Sequence, residues 1–409
     1  MRVLTLTHNL PRFLGDYSGT FVDALCRELV RQGEEVCVLA PHDRAYASLQ
    51  PRPYRLKLYR YAWPSRLEGF GYARSMSGDL GIRPTSLALA PGVLAAGIAS
   101  ALQLCGKWRA DILHAHWLFP SGVIAAVVSA IAGVPYIVSL PGSDVFVARR
   151  YWAGRLLGRW VLRKAALVTA NSRELQRVAL SLGAPAERFD LVIYGADTTT
   201  LHPDREAGTS LRQALGLRSE DFVVLAVGRM VPKKGFRYLA EAFPQVRRHV
   251  PSARLVFVGD GVERCSLEAA LADSGFGGDV RFVGVVPRQE MLGYYNAADV
   301  LVMPSVTEPE DGLNVCVLDA MACARPIVAT TAAGNSLVVQ DGLNGFLVPE
   351  RDATALAEKL ILLAGDAQMR ERMGAASRAL AENDFSWATL AARYRAHYRR
   401  TVALRSEAR

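Results

Sequence analysis

Twice along the chain, short β-branched runs alternate with helical patterns, and this double alternation restricts the fold more than any other feature. In the first half the runs are Val3 to Thr7, Val36 to Ala40, Ile112 to Ala115, Tyr136 to Leu140, Leu167 to Ala170 and Leu191 to Ile193. The second half repeats the plan with Phe222 to Val227, Arg254 to Val258, Val280 to Val283, Val300 to Met303, Ile327 to Ala329 and Phe346 to Val348. Strands separated by helices pair through crossovers rather than hairpins, so each set predicts a parallel sheet covered by helices. A chain of 409 residues also exceeds what one hydrophobic core organises, which predicts two domains. Between the two sets lies "YGADTTTLHPDREAGTS", polar and turn-rich from Tyr194 to Ser210, which reads as the linker.

Composition narrows the class. Hydrophobic residues make up 51% and charged ones 21%, without low-complexity runs, as in an ordered α/β protein. The six cysteines form no CxxC pair, so neither a zinc site nor a disulfide framework is expected, and a reducing cytoplasm fits. Met1 to Leu10 reads as a strand followed by Pro11 and Arg12, not as a signal peptide. Two uncharged stretches, Pro84 to Gly106 and Trp117 to Gly142, resemble membrane spans. Pro91-Gly92 is expected to break the first, and Pro120, Gly133 and Pro135 the second, leaving strand and helix packing. A net charge of +9 calls for anionic partners, a description that sugar nucleotides, nucleic acid and acidic lipid all meet.

In doubly wound sheets ligands bind outside the carboxyl ends of strands, so the loops leaving each strand are where chemistry is expected. After Phe222 to Val227 comes "GRMVPKKGF", with Arg229 at the strand exit and Lys234 beside Gly235, where a helix can begin. Two fixed cations and helix N-terminal amides can hold a diphosphate and stabilise it as it departs. The plain alternative is that Arg229, Lys233 and Lys234 are solvated loop cations. The second loop belongs to "PSVTEPEDGLNVCVLDAMACARPIVAT", Pro304 to Thr330. There Asp311, Gly312 and Asn314 form a turn running into a helix whose one carboxylate, Asp319, stands among apolar residues. A buried carboxylate needs donors: ribose hydroxyls of a ligand, or a neighbouring side chain inside the core.

With these motifs the sequence resembles the retaining glycosyltransferases of family 4, which have the GT-B fold: α/β, with two Rossmann-like domains facing a central cleft. The likeness rests on the GR-x-x-x-K-G loop at Gly228 to Gly235, "VGDG" at Val258 to Gly261, "RFVGVVP" at Arg281 to Pro287, the Pro304 to Thr330 stretch, and "DGLNGFLV" at Asp341 to Val348. It implies an acceptor-side domain over residues 1–198, completed by a C-terminal helix at 385–409, and a nucleotide-sugar-binding domain over 199–384. It further implies that Arg229 and Lys234 hold the diphosphate and that Asp311, or Glu310 beside it, faces the donor sugar. Asp319 would face the ribose, and the backbone near Val286 the base. Family members usually carry Glu at the two positions occupied here by Asp311 and Asp319, which are eight residues apart. In the first domain, Gly19 at a helix start would let backbone approach the donor. His116 of "HAHWLFPSG", rather than His114, would stand near the reacting centre, although a strand-end histidine can equally be structural. Pro141 stands where relatives often carry His, Asp144 follows it, and Ala324 replaces a helix-ending glycine.

The resulting expectation is a metal-independent, retaining glycosyltransferase. It would move a hexose-type sugar from a UDP- or GDP-linked donor to a glycan or lipid-linked acceptor, in cell-surface polysaccharide or glycolipid synthesis. No cofactor beyond the donor substrate and no nucleic acid is expected. The alternative is a nucleotide-sugar-binding or regulatory subunit of the same fold with little turnover. A dehydrogenase is disfavoured because "GDGVER" lacks the third glycine of the dinucleotide fingerprint. Finally, "RRYWAGRLLGRWVLRKAALV", from Arg149, reads as a helix with Arg155, Arg159 and Arg163 in one stripe beside Trp152, Leu156 and Trp160. No acidic residue occurs between Asp144 and Glu174, so an anionic membrane surface is a further expected partner, the inner face of the cell membrane its place. "RPYRLKLYRYAWPSR", Arg52 to Arg66, is expected to widen the patch. Alternatively, both tryptophans pack on the sheet.

Overall fold

The computed structural model describes residues 1–13, 15–16, 18–46, 51–72, 76–77, 81–142, 144–308 and 312–407, without the side chains of 76–77, 81–82 and 406–407. The chain folds as two units, one made of Met1–Ile193 with Trp387–Arg409 and the other of Tyr194–Ser386.

The first unit is built on a seven-stranded sheet in the order Arg55–Tyr59, Glu35–Pro41, Arg2–Leu6, Ile112–His116, Tyr136–Leu140, Leu167–Ala170, Phe189–Leu191. Every pairing is parallel. Neighbouring residues of a strand point to opposite faces, which feeds two separate cores. Tyr136 and Val138 join one with Val93, Ile124 and Val161 from helices Pro84–Trp108, Val123–Ala132 and Trp152–Lys164. Ile137 joins the other with Leu25 and Leu29 of Thr20–Arg31 and with Leu390, Tyr394 and Tyr398 of Trp387–Glu407. The strand order reverses between Arg2–Leu6 and Ile112–His116, so the loops leaving these two strands diverge and open a crevice.

The second unit has a parallel six-stranded sheet in the order Val280–Gly284, Ala253–Val258, Phe222–Val227, Val300–Met303, Ile327–Thr330, Gly345–Val348. Its order reverses between Phe222–Val227 and Val300–Met303. Those strands are the ones that lead into the two loops singled out by sequence.

Several expectations need correction. Pro91-Gly92 does not break the first uncharged stretch: Pro84–Trp108 is a single helix, with Pro91 inside it on the exposed side. A proline there removes one intrahelical bond, a cost offset by packing of Val93, Ala101, Cys105 and Trp108 against the core. The stretch Tyr194 to Ser210 is not wholly linker. Asp204 accepts from Ala207 N at 2.9 Å and caps a helix, Arg205–Ala214, which packs on Met291–Ala297 within the second unit. In the Arg52 to Arg66 stretch, Arg55–Tyr59 is the edge strand of the first sheet, and Tyr54, Tyr59 and Tyr61 are buried. Its alternation of charged and apolar residues marks a strand, not an aromatic patch.

Ala324 closes the helix Val315–Ala322 in the left-handed region, at φ 55°, with Arg325 N donating to Ala320 O at 2.9 Å. A Cβ in that conformation costs about 1 kcal/mol. Ala324→Gly is therefore expected to raise the unfolding midpoint of the second unit by about 2–4 °C. Calorimetry checks this, and an unchanged midpoint would refute the strain.

Candidate active site

Gly235 sets the geometry of the first loop. Its φ is 65°, and a Cβ there would lie 1.9 Å from the Pro304 carbonyl oxygen, so only glycine lets the two loops at the switch point touch. Val306 N donates to Lys233 O at 3.0 Å across the same junction. On its other side the loop is pinned to "VGDG", Met230 N donating to Asp260 O at 2.8 Å and Glu263 N to Met230 O at 2.9 Å. Phe236–His249 follows as a helix. Lys233 is buried, Lys234 half-buried and Arg229 exposed, so the solvated-loop reading does not describe the two lysines.

Lys234 reaches the second loop directly, its Nζ donating to Asn314 Oδ1. Asn314 is itself oriented, its Nδ2 donating to Ser305 Oγ at 3.0 Å and to Asn335 Oδ1 at 3.4 Å, while Asn335 Nδ2 donates to Thr330 O at 3.1 Å. Asn314 immediately precedes the helix Val315–Ala322, so the ammonium stands at the positive end of that helix. Cation, helix terminus and the adjacent Arg229 loop together make a site suited to an anion.

Asp319, buried on this helix, is held by a side chain the sequence reading missed. Arg288 Nη1 donates to its Oδ2 at 2.6 Å and Nη2 to its Oδ1 at 3.0 Å, with Tyr295 OH 3.4 Å from Oδ2. The neighbouring-side-chain alternative is thus realised. Three donors still leave room for one more on a carboxylate with about four acceptor positions. Arg288 lies just past Pro287 in the loop leaving Val280–Gly284, and the rule that flagged the other two loops would have found it. Val286, half-exposed, is on the same loop. Glu310 and Asp311 lie outside the described residues.

In the first unit the two histidines of "HAH" separate. His114 is structural: Nδ1 pairs with Tyr398 OH at 2.6 Å and Nε2 with Ser139 Oγ at 2.7 Å, and burial holds its pKa well below the usual value. His116 lies tilted against His114, ring centroids 4.2 Å apart, yet among the described residues neither of its buried ring nitrogens has a partner. Burial lowers its pKa to about 3, so it is a neutral imidazole with one donor and one acceptor unmet. Asp144 anchors the turn that follows, Oδ2 accepting from Leu118 N at 2.5 Å and from Phe119 N at 3.4 Å. Burial pushes its carboxyl up to about 7. Gly19 has φ 64°, and a Cβ would lie 2.2 Å from Asn9 O; the fold of its own loop accounts for the glycine. Lys234, Asn314, Asp319 and Arg288 gather in the second unit, while Gly19 and His116 flank the reversal point of the first.

Comparison with known proteins fits this arrangement. Residues 221–366 match the family model described as glycosyl transferases group 1, and residues 18–195 match the glycosyl transferase 4-like domain. A candidate teichuronic acid biosynthesis glycosyltransferase of Bacillus subtilis is 30% identical, over 88% of each chain. A GDP-mannose-dependent alpha-(1-6)-phosphatidylinositol monomannoside mannosyltransferase of Mycolicibacterium smegmatis is 28% identical, over 84% of this chain and 89% of that one. In fold, the chain is similar to Anabaena HepE, solved in complex with UDP, with a TM-score of 0.74 at 22% identity, over 97% of this chain and 99% of that one.

Proposed function

The chain belongs to the group 1 glycosyl transferases and has the GT-B fold, and from that premise we propose that it transfers a hexose-type sugar, with retention, from a UDP- or GDP-linked donor to a glycan or lipid-linked acceptor. The observation that carries this reading is Lys234, tied through Asn314 to the positive end of the helix that bears Asp319, in the same loop as Arg229.

The bond between the anomeric carbon and the β-phosphate oxygen breaks, and Arg229 and Lys234 stabilise the charge that gathers on the departing diphosphate. These fixed cations make the reaction metal-independent. The acceptor hydroxyl attacks from the face the diphosphate leaves, and its proton passes to the leaving phosphate oxygen, so no protein nucleophile is needed. Asp319 offers its remaining acceptor position to the ribose. The family resemblance alone assigns Gly19 to the donor's phosphates, and it assigns the backbone near Val286 to the base. Neutral His116 hydrogen-bonds the sugar hydroxyls, and Asp311, or Glu310 beside it, faces the sugar on motif spacing alone. The relative named for GDP-mannose and the neighbour bound to UDP support these two nucleotides ahead of others.

A thermal-shift panel of UDP-, GDP-, ADP- and dTDP-sugars tests the donor. One nucleotide class is expected to dominate, since a ligand at about 100 times its Kd adds about 2.7 kcal/mol of apparent stability. Slow hydrolysis of that donor, with the released sugar first appearing in the donor's anomeric configuration, supports retaining transfer. A shift without any hydrolysis supports the binding-subunit alternative, and no shift with any donor refutes both.

A further inference from the structure

Helices Pro84–Trp108, Val123–Ala132 and Trp152–Lys164 lie side by side on one face of the first unit's sheet, the middle one packing against both others. Together they carry five cations, Lys107, Arg155, Arg159, Arg163 and Lys164, and no acidic residue. Their outward side chains are unusual for a solvated layer. Trp152–Lys164 buries only Gly158, Val161 and Leu162, so the sheet takes the side opposite the aromatic stripe. Trp152 is 71% exposed, Leu156 63% and Trp160 37%, which rules out packing of the tryptophans on the sheet. Arg155, Arg159 and Arg163 recur at the same four-residue spacing beside that stripe and are exposed, without an ion pair among the described residues. Pro84–Trp108 adds an outer side free of charge from Pro84 to Gly106, with Leu87 59% exposed, and Val123–Ala132 adds Ile131 at 65%.

A solvated helix face is charged with both signs, and a core-facing one is covered. This face is neither. Exposed tryptophan and leucine flanked by arginine match the two parts of a phospholipid interface, acyl boundary and anionic headgroup. We propose that this three-helix layer of the first unit docks on the surface of an anionic phospholipid bilayer, the helix Trp152–Lys164 inserting its aromatic stripe among the headgroups while Arg155, Arg159 and Arg163 pair with phosphate. The helix Pro84–Trp108 is long and apolar enough to cross a bilayer, but its packing on the first core makes it part of this docking layer. Docking does not depend on the donor reading, since Arg229 and Lys234 take no part in it.

Flotation of the full chain with vesicles of phosphatidylglycerol and phosphatidylcholine, against vesicles of phosphatidylcholine alone, tests the proposal. The wild type is expected to float with the anionic vesicles only. It should release when salt rises from about 0.15 M to about 1 M, which shortens the screening length from about 8 Å to about 3 Å. Arg155→Glu, Arg159→Glu, Arg163→Glu in one chain should cut binding at least about tenfold. Trp152→Ser with Trp160→Ser should weaken it while keeping its salt dependence. All five positions are exposed, so unchanged circular dichroism and melting temperature keep folding out of the comparison. A wild type that does not float, equal flotation with neutral vesicles, or undiminished binding by the charge-reversed chain overturns the proposal. So does a wild-type dimer that Trp152→Ser dissociates, which would make the face a contact between two copies.

Discussion

Lys234→Ala is expected to lower turnover by about 10²–10³-fold, the cost of removing one preorganised charge that stabilises a departing anion. The change has a structural side as well. Lys234 is half-buried and its ammonium satisfies Asn314 Oδ1, so its loss leaves a buried acceptor without its donor, at about 1–3 kcal/mol of stability. Arg229→Ala separates the two effects. Arg229 is exposed, so the same fall in turnover is expected there with the melting temperature nearly unchanged. Steady-state rates and calorimetry on both variants decide the matter. If each keeps wild-type turnover and the wild-type thermal shift with the preferred donor, neither cation holds the diphosphate.

The Arg288–Asp319 pair carries the second large effect, and it is asymmetric. The Asp319 side chain is 5% exposed and that of Arg288 41%. Arg288→Ala strands a carboxylate with almost no access to water and is expected to cost about 3–5 kcal/mol. Asp319→Ala leaves an arginine that can turn to solvent, so the cost there is expected to be about 1–3 kcal/mol. Denaturant unfolding orders the two variants, and a larger loss for Asp319→Ala would show that the arginine, not the carboxylate, is the trapped charge. Asp319→Asn tests the ribose contact separately: about tenfold weaker donor binding is expected, and wild-type affinity would remove Asp319 from the nucleotide site.

Much of this molecule follows from patterns that act over a few residues. A run such as Phe222 to Val227 or Tyr136 to Leu140 is a strand because β-branched and apolar residues fill a pleated surface buried on both sides, and both runs form strands over those residues. Ala324 occupies a left-handed turn for an equally local reason, the need to end a helix. Residue type in a strand-exit loop was enough to single out Arg229 and Lys234, and a lone carboxylate in an apolar helix to single out Asp319. The strand Arg55–Tyr59 was missed because alternating charged and apolar residues at a sheet edge bury too little to resemble a core strand.

What the sequence could not decide is which side chains meet. Asp319 pairs with Arg288 at a separation of 31 residues, Lys234 with Asn314 at 80, and His114 with Tyr398 at 284. Those partnerships depend on strand order, which joins loops distant along the chain, and on the last helix returning to the first unit. Only tertiary structure could therefore make His114 a bonded core residue and leave His116, two positions on, with both ring nitrogens unmet among the described residues. The same limit applied to Trp152–Lys164. Periodicity defines a stripe but carries no sign: an apolar stripe facing the core and one facing outward have the same spacing. The burial of Gly158, Val161 and Leu162 turned the tryptophans outward, because small and branched residues fit against the sheet where two indoles do not.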